Sequence, residues 1–236
     1  MKLTPKDRLI FALDVSSMQE VKKWVRLLKN HVGIFKVGKE LFTACGPKVV
    51  EIIHKAGGEV FLDLKFHDIP NTAAKAGVVA AGLGVKMFNV HTLGGFKMMD
   101  AVREAVDKAC VKQRRPIILG VTILTSMDEK AIKQVGIQGP IKNRVMHLAS
   151  LAKKAGLDGV VASPLEVKDI KKKLGKDFIA VTPSIRMPDS KPDDQSRTMT
   201  PKEAIQAGAD YIVVGRPIRD AKYPVETARK IVEEMK

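Results

Sequence analysis

The run Val60-Phe61-Leu62-Asp63-Leu64-Lys65-Phe66-His67-Asp68 decides how this sequence is read. Successive side chains of a strand point to opposite sides. Leu62, Leu64 and Phe66 therefore share one face, and Asp63 and Lys65 share the other. Working outward from this strand, predicted over Glu59–Lys65, similar short runs recur along the whole chain. They are Leu9–Val15, Ile34–Gly38, Met87–His91, Ile117–Ile123, Gly159–Ala162, Phe178–Thr182 and Tyr211–Gly215. Most are continuously apolar, as strands covered on both faces must be.

Amphipathic segments separate them. Ser17–Asn30 begins with a capping box, Ser17 followed three residues later by Glu20. Further helices are predicted over Pro47–Lys55, Thr72–Ala81, Phe96–Val111, Pro140–Lys154, Pro164–Leu174, Thr200–Gln206 and Val225–Met235. Gly57, Gly82, Gly156, Gly175 and Gly208 follow several of them as C-terminal caps. About eight strand–helix units in 236 residues match the ~250 residues of a (β/α)8 TIM barrel. No linker or change of composition divides the chain, so residues 1–236 are expected to form a single α/β domain. A doubly wound open sheet is the alternative. It is weakened because Asp14-Val15-Ser16-Ser17 stands where a Gly-x-Gly-x-x-Gly turn would follow the first strand.

Composition narrows the function. Two cysteines, Cys45 and Cys110, exclude a disulfide framework and a four-cysteine metal site. No stretch approaches the ~20 apolar residues of a membrane helix, and the N-terminal apolar run is too short for a secretion signal. A cytoplasmic protein with no membrane partner is expected. Lysine and arginine number 41 against 26 acids, a net charge of +15 that favours small anions. Nucleic-acid binding is not expected, because aromatics are only 5% and the basic residues are dispersed.

In such barrels the chemistry sits at the carboxyl ends of the strands. Strand one leads to Asp14, strand two carries Lys36, and strand three carries Asp63 and Lys65 with Asp68 just beyond. Acids and amines thus alternate along one part of the mouth. Buried charges are expensive and each needs a partner, so such an array marks a functional site. Opposite it, strand seven ends Thr182-Pro183-Ser184-Ile185-Arg186 and strand eight ends Gly215-Arg216-Pro217. Loops after the last two strands are the usual phosphate grip, built from backbone N–H groups and a short helix. Arg216 adds a planar guanidinium, and Gly215 permits close approach. The long polar connection 184–198 reads as a binding loop or lid.

These motifs resemble the orotidine 5′-phosphate decarboxylase family over the whole chain. The most specific match is Asp63-x-Lys65-x-x-Asp68 with Ile69-Pro70-Asn71-Thr72 after it. Ala12-Leu13-Asp14, Phe35-Lys36-Val37-Gly38, Asn89-Val90-His91, Leu124-Thr125-Ser126, Thr182-Pro183 with Arg186, Gln195 and Gly215-Arg216-Pro217 follow in the family's order. The resemblance implies decarboxylation of orotidine 5′-phosphate (OMP) to uridine 5′-phosphate (UMP) in pyrimidine biosynthesis, with no cofactor and no metal. It implies that Asp14 binds ribose hydroxyls and that Lys36 bridges the sugar and Asp63. Asp63 and Lys65 would act from one subunit of a homodimer, with Asp68 and Thr72 donated by the other. Thr125 or Ser126 would meet the pyrimidine edge, Pro183 would line the substrate site, and Arg186, Gln195 and Arg216 would hold the phosphate. Lys65 would stabilise the C6 carbanion and protonate it; His67 and His91 are read as structural. One departure stands out: Ser184 occupies a position where the family usually has glycine.

Two rival readings remain at the level of sequence. A related barrel with the same signature decarboxylates 3-keto-gulonate 6-phosphate with magnesium, but Lys36 and the Leu124-Thr125-Ser126 segment favour a nucleotide. A basic nucleic-acid-binding protein is supported by net charge alone.

Overall fold

The structure is a computed structural model describing residues 3–187 and 198–236. The strands are β1 (Leu9–Ala12), β2 (Ile34–Gly38), β3 (Glu59–Phe66), β4 (Met87–His91), β5 (Ile117–Val121), β6 (Gly159–Val161), β7 (Ile179–Thr182) and β8 (Tyr211–Val214). They pair in parallel and in sequence order, and β8 closes on β1, as the barrel reading expects. The helices are α1 (Met18–Leu28), α2 (Lys39–Cys45), α3 (Lys48–Lys55), α4 (Pro70–Gly82), α5 (Gly95–Ala109) and α6 (Glu129–Gln134). They continue with α7 (Ile141–Lys154), α8 (Val167–Leu174), α9 (Pro201–Gln206), α10 (Arg216–Arg219) and α11 (Pro224–Glu234). Among the described residues, no helix is long and apolar enough to cross a membrane.

Two apolar layers follow from the period of two along each strand. Outward-facing Leu9, Phe11, Phe35, Val37, Val60, Leu62 and Phe88 pack against the helices. Inward-facing Ile10, Ile34, Phe61, Met87, Leu119, Val181 and Tyr211 form a separate cluster that plugs the barrel. Ala12, Lys36, Asp63 and Asn89 each follow an inward residue by two positions, so they stand one level nearer the carboxyl end. The floor is apolar and the level above it is charged.

Several local readings need correction. β1 ends at Ala12 and β5 at Val121, so Asp14 and Ile123 lie in the loops that follow. The helices α2 and α6 lie in segments where no helix is predicted from sequence; each has only six or seven residues, too few to show a helical period. The cap after α4 is Gly84, with φ +73°, while Gly82 remains inside the helix. Ser17 does cap α1, accepting from the Glu20 amide at 3.3 Å. Lys171, within the Lys171-Lys172-Lys173 cluster, is drawn inward to Asp210 at 2.6 Å and to the Lys176 and Phe178 carbonyls.

β6 and β7 approach so closely that a Cβ on Gly159 would lie 2.2 Å from the Ile179 carbonyl oxygen. Backbone cannot yield there without opening the barrel. Gly159→Ala is expected to destabilise the protein by about 2–3 kcal/mol, the cost of overpacking a tight core. Urea unfolding measures this; a midpoint equal to wild type would contradict it.

Candidate active site

A cavity of about 470 Å³ opens at the carboxyl end of the barrel. Asp14, Lys36, Asp63, Lys65, Thr125, Ser126, Pro183, Arg186, Gly215 and Arg216, ten of the residues singled out from sequence, line it. The charges are paired in a chain. The Lys36 ammonium donates to Asp14 at 3.0 Å and lies 3.6 Å from Asp63. The other Asp63 oxygen accepts from the Lys65 ammonium at 2.7 Å. Lys36 and Asp63 keep only 12% and 13% side-chain exposure, against 42% for Asp14. The centre of the array is therefore buried and its Asp14 end is open.

Burial alone would lower the Lys36 pKa, but the Asp63 and Asp14 charges and their hydrogen bonds outweigh it and hold the ammonium above its usual range. Lys36 stays charged at neutral pH. His91 behaves oppositely. Burial first, then repulsion from His67, Lys65 and Lys39, pushes its pKa down to about 4. It is a neutral imidazole stacked on His67, with ring centroids 5.2 Å apart.

Small residues make room for the array. A Cβ on Gly38 would sit 3.1 Å from the Lys36 ammonium, and one on Gly215 3.5 Å from an Asp14 carboxylate oxygen. From α10, the Arg219 guanidinium donates to the Asp14 backbone carbonyl at 3.1 Å and ties the first loop to the last.

Asp68 and Thr72 do not reach the cavity of their own chain. Both are exposed, and the Asp68 carboxylate accepts from the Ile69 amide at 2.6 Å. Gln195 lies outside the described residues, as does most of the connection read as a lid. Sequence reasoning did not assign Lys39 and Asn89 to the site. Lys39 lines the cavity from the start of α2. Asn89 is fully buried, donating to Asp63 at 2.7 Å and accepting from the Lys65 amide at 2.8 Å. Its signal was present: an asparagine amid the apolar β4 run, two positions beyond Met87.

A closed parallel barrel with paired ammonium and carboxylate groups on one side of its mouth and two arginines on the other defines a class of barrel enzyme that handles an anionic substrate. The chain belongs to the "Orotidine 5'-phosphate decarboxylase / HUMPS" family, whose model matches residues 7–231. Proteins named orotidine 5'-phosphate decarboxylase from Geotalea daltonii and Syntrophotalea carbinolica are each 55% identical to it. The first match covers 97% of this chain and 95% of the relative, the second 100% and 97%. The crystal structure of orotidine 5'-phosphate decarboxylase from Lactobacillus acidophilus is similar, with a TM-score of 0.85 and 36% identity. It covers 96% of this chain and 98% of that one. An uncharacterized conserved protein from Geobacillus kaustophilus gives a TM-score of 0.84 at 38% identity, covering 97% of this chain and all of that one.

Ser184 stands at a place where glycine has a physical reason to be. Its φ is +64°, and it is buried in the cavity wall. Among the described residues nothing hydrogen-bonds its hydroxyl. Left-handed backbone costs an L-residue roughly 1–2 kcal/mol, and a buried unpaired hydroxyl about 1–3 kcal/mol more. Glycine would remove both and lose about 0.4–1 kcal/mol through a more flexible unfolded chain. Ser184→Gly is therefore expected to raise stability by about 1 kcal/mol or more, read as a higher Tm; a lower Tm would contradict it.

Proposed function

We propose that this protein decarboxylates orotidine 5′-phosphate to uridine 5′-phosphate without a cofactor, with Lys65 stabilising and then protonating the C6 carbanion. The observation that carries the reading is the Lys65 ammonium, held 2.7 Å from Asp63 in a cavity whose other side presents Arg186 and Arg216.

Breaking the bond between C6 and the carboxyl carbon releases carbon dioxide and leaves the electron pair on C6. No ring carbonyl is placed to delocalise it, so the protein must supply the opposing charge. An ammonium already fixed beside that carbon does so without reorganising. It then passes a proton to C6 and regains one from water. Asp63 holds the ammonium in place. Repulsion between acids and the substrate carboxylate is the smaller effect: two like charges ~4 Å apart at an effective dielectric of ~20 interact by about 4 kcal/mol. Enzymes lower barriers by roughly 8–23 kcal/mol.

In this reading Asp14 and Lys36 receive the ribose, Thr125 and Ser126 meet the pyrimidine edge beside Pro183, and Arg186, Arg216 and Gln195 take the phosphate. Phosphate binding, remote from the breaking bond, is spent on assembling the charged array. Asp68 and Thr72 would enter the site of a second copy in a homodimer. Their exposure on a segment leading away from the Lys65 end of the array supports that arrangement. The magnesium-dependent sugar-acid reading is disfavoured because Asp14 and Asp63 already face ammonium groups. The 55%-identical relatives also carry the nucleotide enzyme's name.

Loss of OMP absorbance in a chelator-containing assay tests the activity; dependence on added magnesium would overturn the reading. Lys65→Ala is expected to lose nearly all turnover while still binding UMP, and near-normal turnover would refute its role. Arg216→Ala is expected to lower kcat/KM for the nucleotide by about 100-fold or more, as loss of charged hydrogen bonds does. An equal rate for a phosphate-free nucleoside in the wild type would refute that assignment.

A further inference from the structure

We propose that Asn89 is the positioning residue that aims the Lys65 ammonium, an inference that rests on the reading of Lys65 as the proton donor. The pairing of β3 with β4 is irregular at the site. Leu62 pairs with Phe88 and Phe66 with Val90, so Asp63, Leu64 and Lys65 together oppose the single residue Asn89. An extra two residues in one strand leave ladder groups without strand partners. Lys65 sits in this gap with φ +53°, a conformation L-residues seldom adopt.

The Asn89 side chain replaces the missing ladder. Its carbonyl oxygen accepts from the Lys65 amide at 2.8 Å, and its amide nitrogen donates to Asp63 Oδ1 at 2.7 Å. That same oxygen accepts from the Lys65 ammonium at 2.7 Å. The contacts close a ring: Lys65 backbone, Asn89, Asp63, Lys65 ammonium. Both ends of one lysine are thereby referred to a single side chain, itself fully buried. The chemistry of the residue type matters. A carboxamide offers an acceptor and donors on one rigid plane. A carboxylate would repel Asp63, and an alkyl group would leave the Lys65 amide unpaired. Asn89 lines neither the arginine side of the cavity nor its open rim, so its effect belongs to the position of the ammonium rather than to nucleotide binding. A site that works through a charge placed in advance is sensitive to such support.

The test compares wild type, Asn89→Ala and Asn89→Asp for OMP turnover, UMP binding and Tm. For Asn89→Ala, kcat is expected to fall about 10- to 100-fold, the scale of a lost hydrogen bond to a charged group. The Kd for UMP is expected to stay within about threefold of wild type, as for a group that acts on the chemical step alone. Asn89→Asp supplies a readout independent of general stability. Beside Asp63 its carboxyl holds a proton more tightly than usual, and only the protonated form can donate as asparagine does. Its kcat relative to wild type is therefore expected to rise as pH falls from about 8 to about 5. A folded Asn89→Ala protein with unchanged kcat, or an Asn89→Asp ratio flat with pH, overturns the inference. If Asn89→Ala does not fold, the pH dependence of Asn89→Asp decides. A wild-type protein that fails to turn over OMP overturns the functional reading itself, and this inference with it.

Discussion

Asp14, Lys36, Asp63 and Lys65 form a chain of alternating charge, and the rest of the structure is arranged to keep that chain intact. Each ammonium has a carboxylate within 3.0 Å, and Asp63 serves both. Removing Lys36 or Asp63 would leave Asp14 or Lys65 without its partner, at a cost below the ~3–5 kcal/mol of a fully buried pair because both ends are partly exposed. Such an array contributes little to stability by itself, because its desolvation offsets much of its attraction. What it supplies is a fixed electrostatic field at the mouth of the barrel.

That field needs a dry base and an open top. Ile10, Ile34, Phe61, Met87, Leu119, Val181 and Tyr211 close the barrel beneath it, so water reaches the charges from one side only. Gly38 leaves space where a larger residue would press on the Lys36 ammonium. Among the described residues the backbone enters the left-handed region at two non-glycine positions, Lys65 and Ser184, and both line the cavity. Strain gathers at the site while the barrel below it remains regular. At Lys65 the backbone amide is paired with Asn89; at Ser184 the carbonyl accepts from the Met199 amide at 3.3 Å, but the hydroxyl has no partner among the described residues.

The two sides of the mouth divide the work of handling a doubly functional anion. The β1–β3 side places positive charge against negative at short range, where chemistry needs position. The β7–β8 side presents arginines, whose planar groups suit phosphate oxygens. The net charge of +15 adds a general long-range attraction for anions.

The barrel was legible in the sequence because strand and helix leave different periods, and because buried parallel strands are continuously apolar. The acids and lysines of the site were legible for the opposite reason: charge is rare in such runs and costly there. Short elements were not legible, since α2 and α6 complete fewer than two turns each. Nor was the role of Asn89, because one asparagine in a strand carries no sign of what faces it. The shared face of Asp63 and Lys65 follows from alternation along a single strand, which is a local property. The left-handed Lys65, its hydrogen bond to Asn89 and the placement of Asp68 outside the cavity depend on how β3 meets β4 and where the chain leaves the barrel. Those are contacts between residues distant in sequence, and they exist only once the sheet has closed.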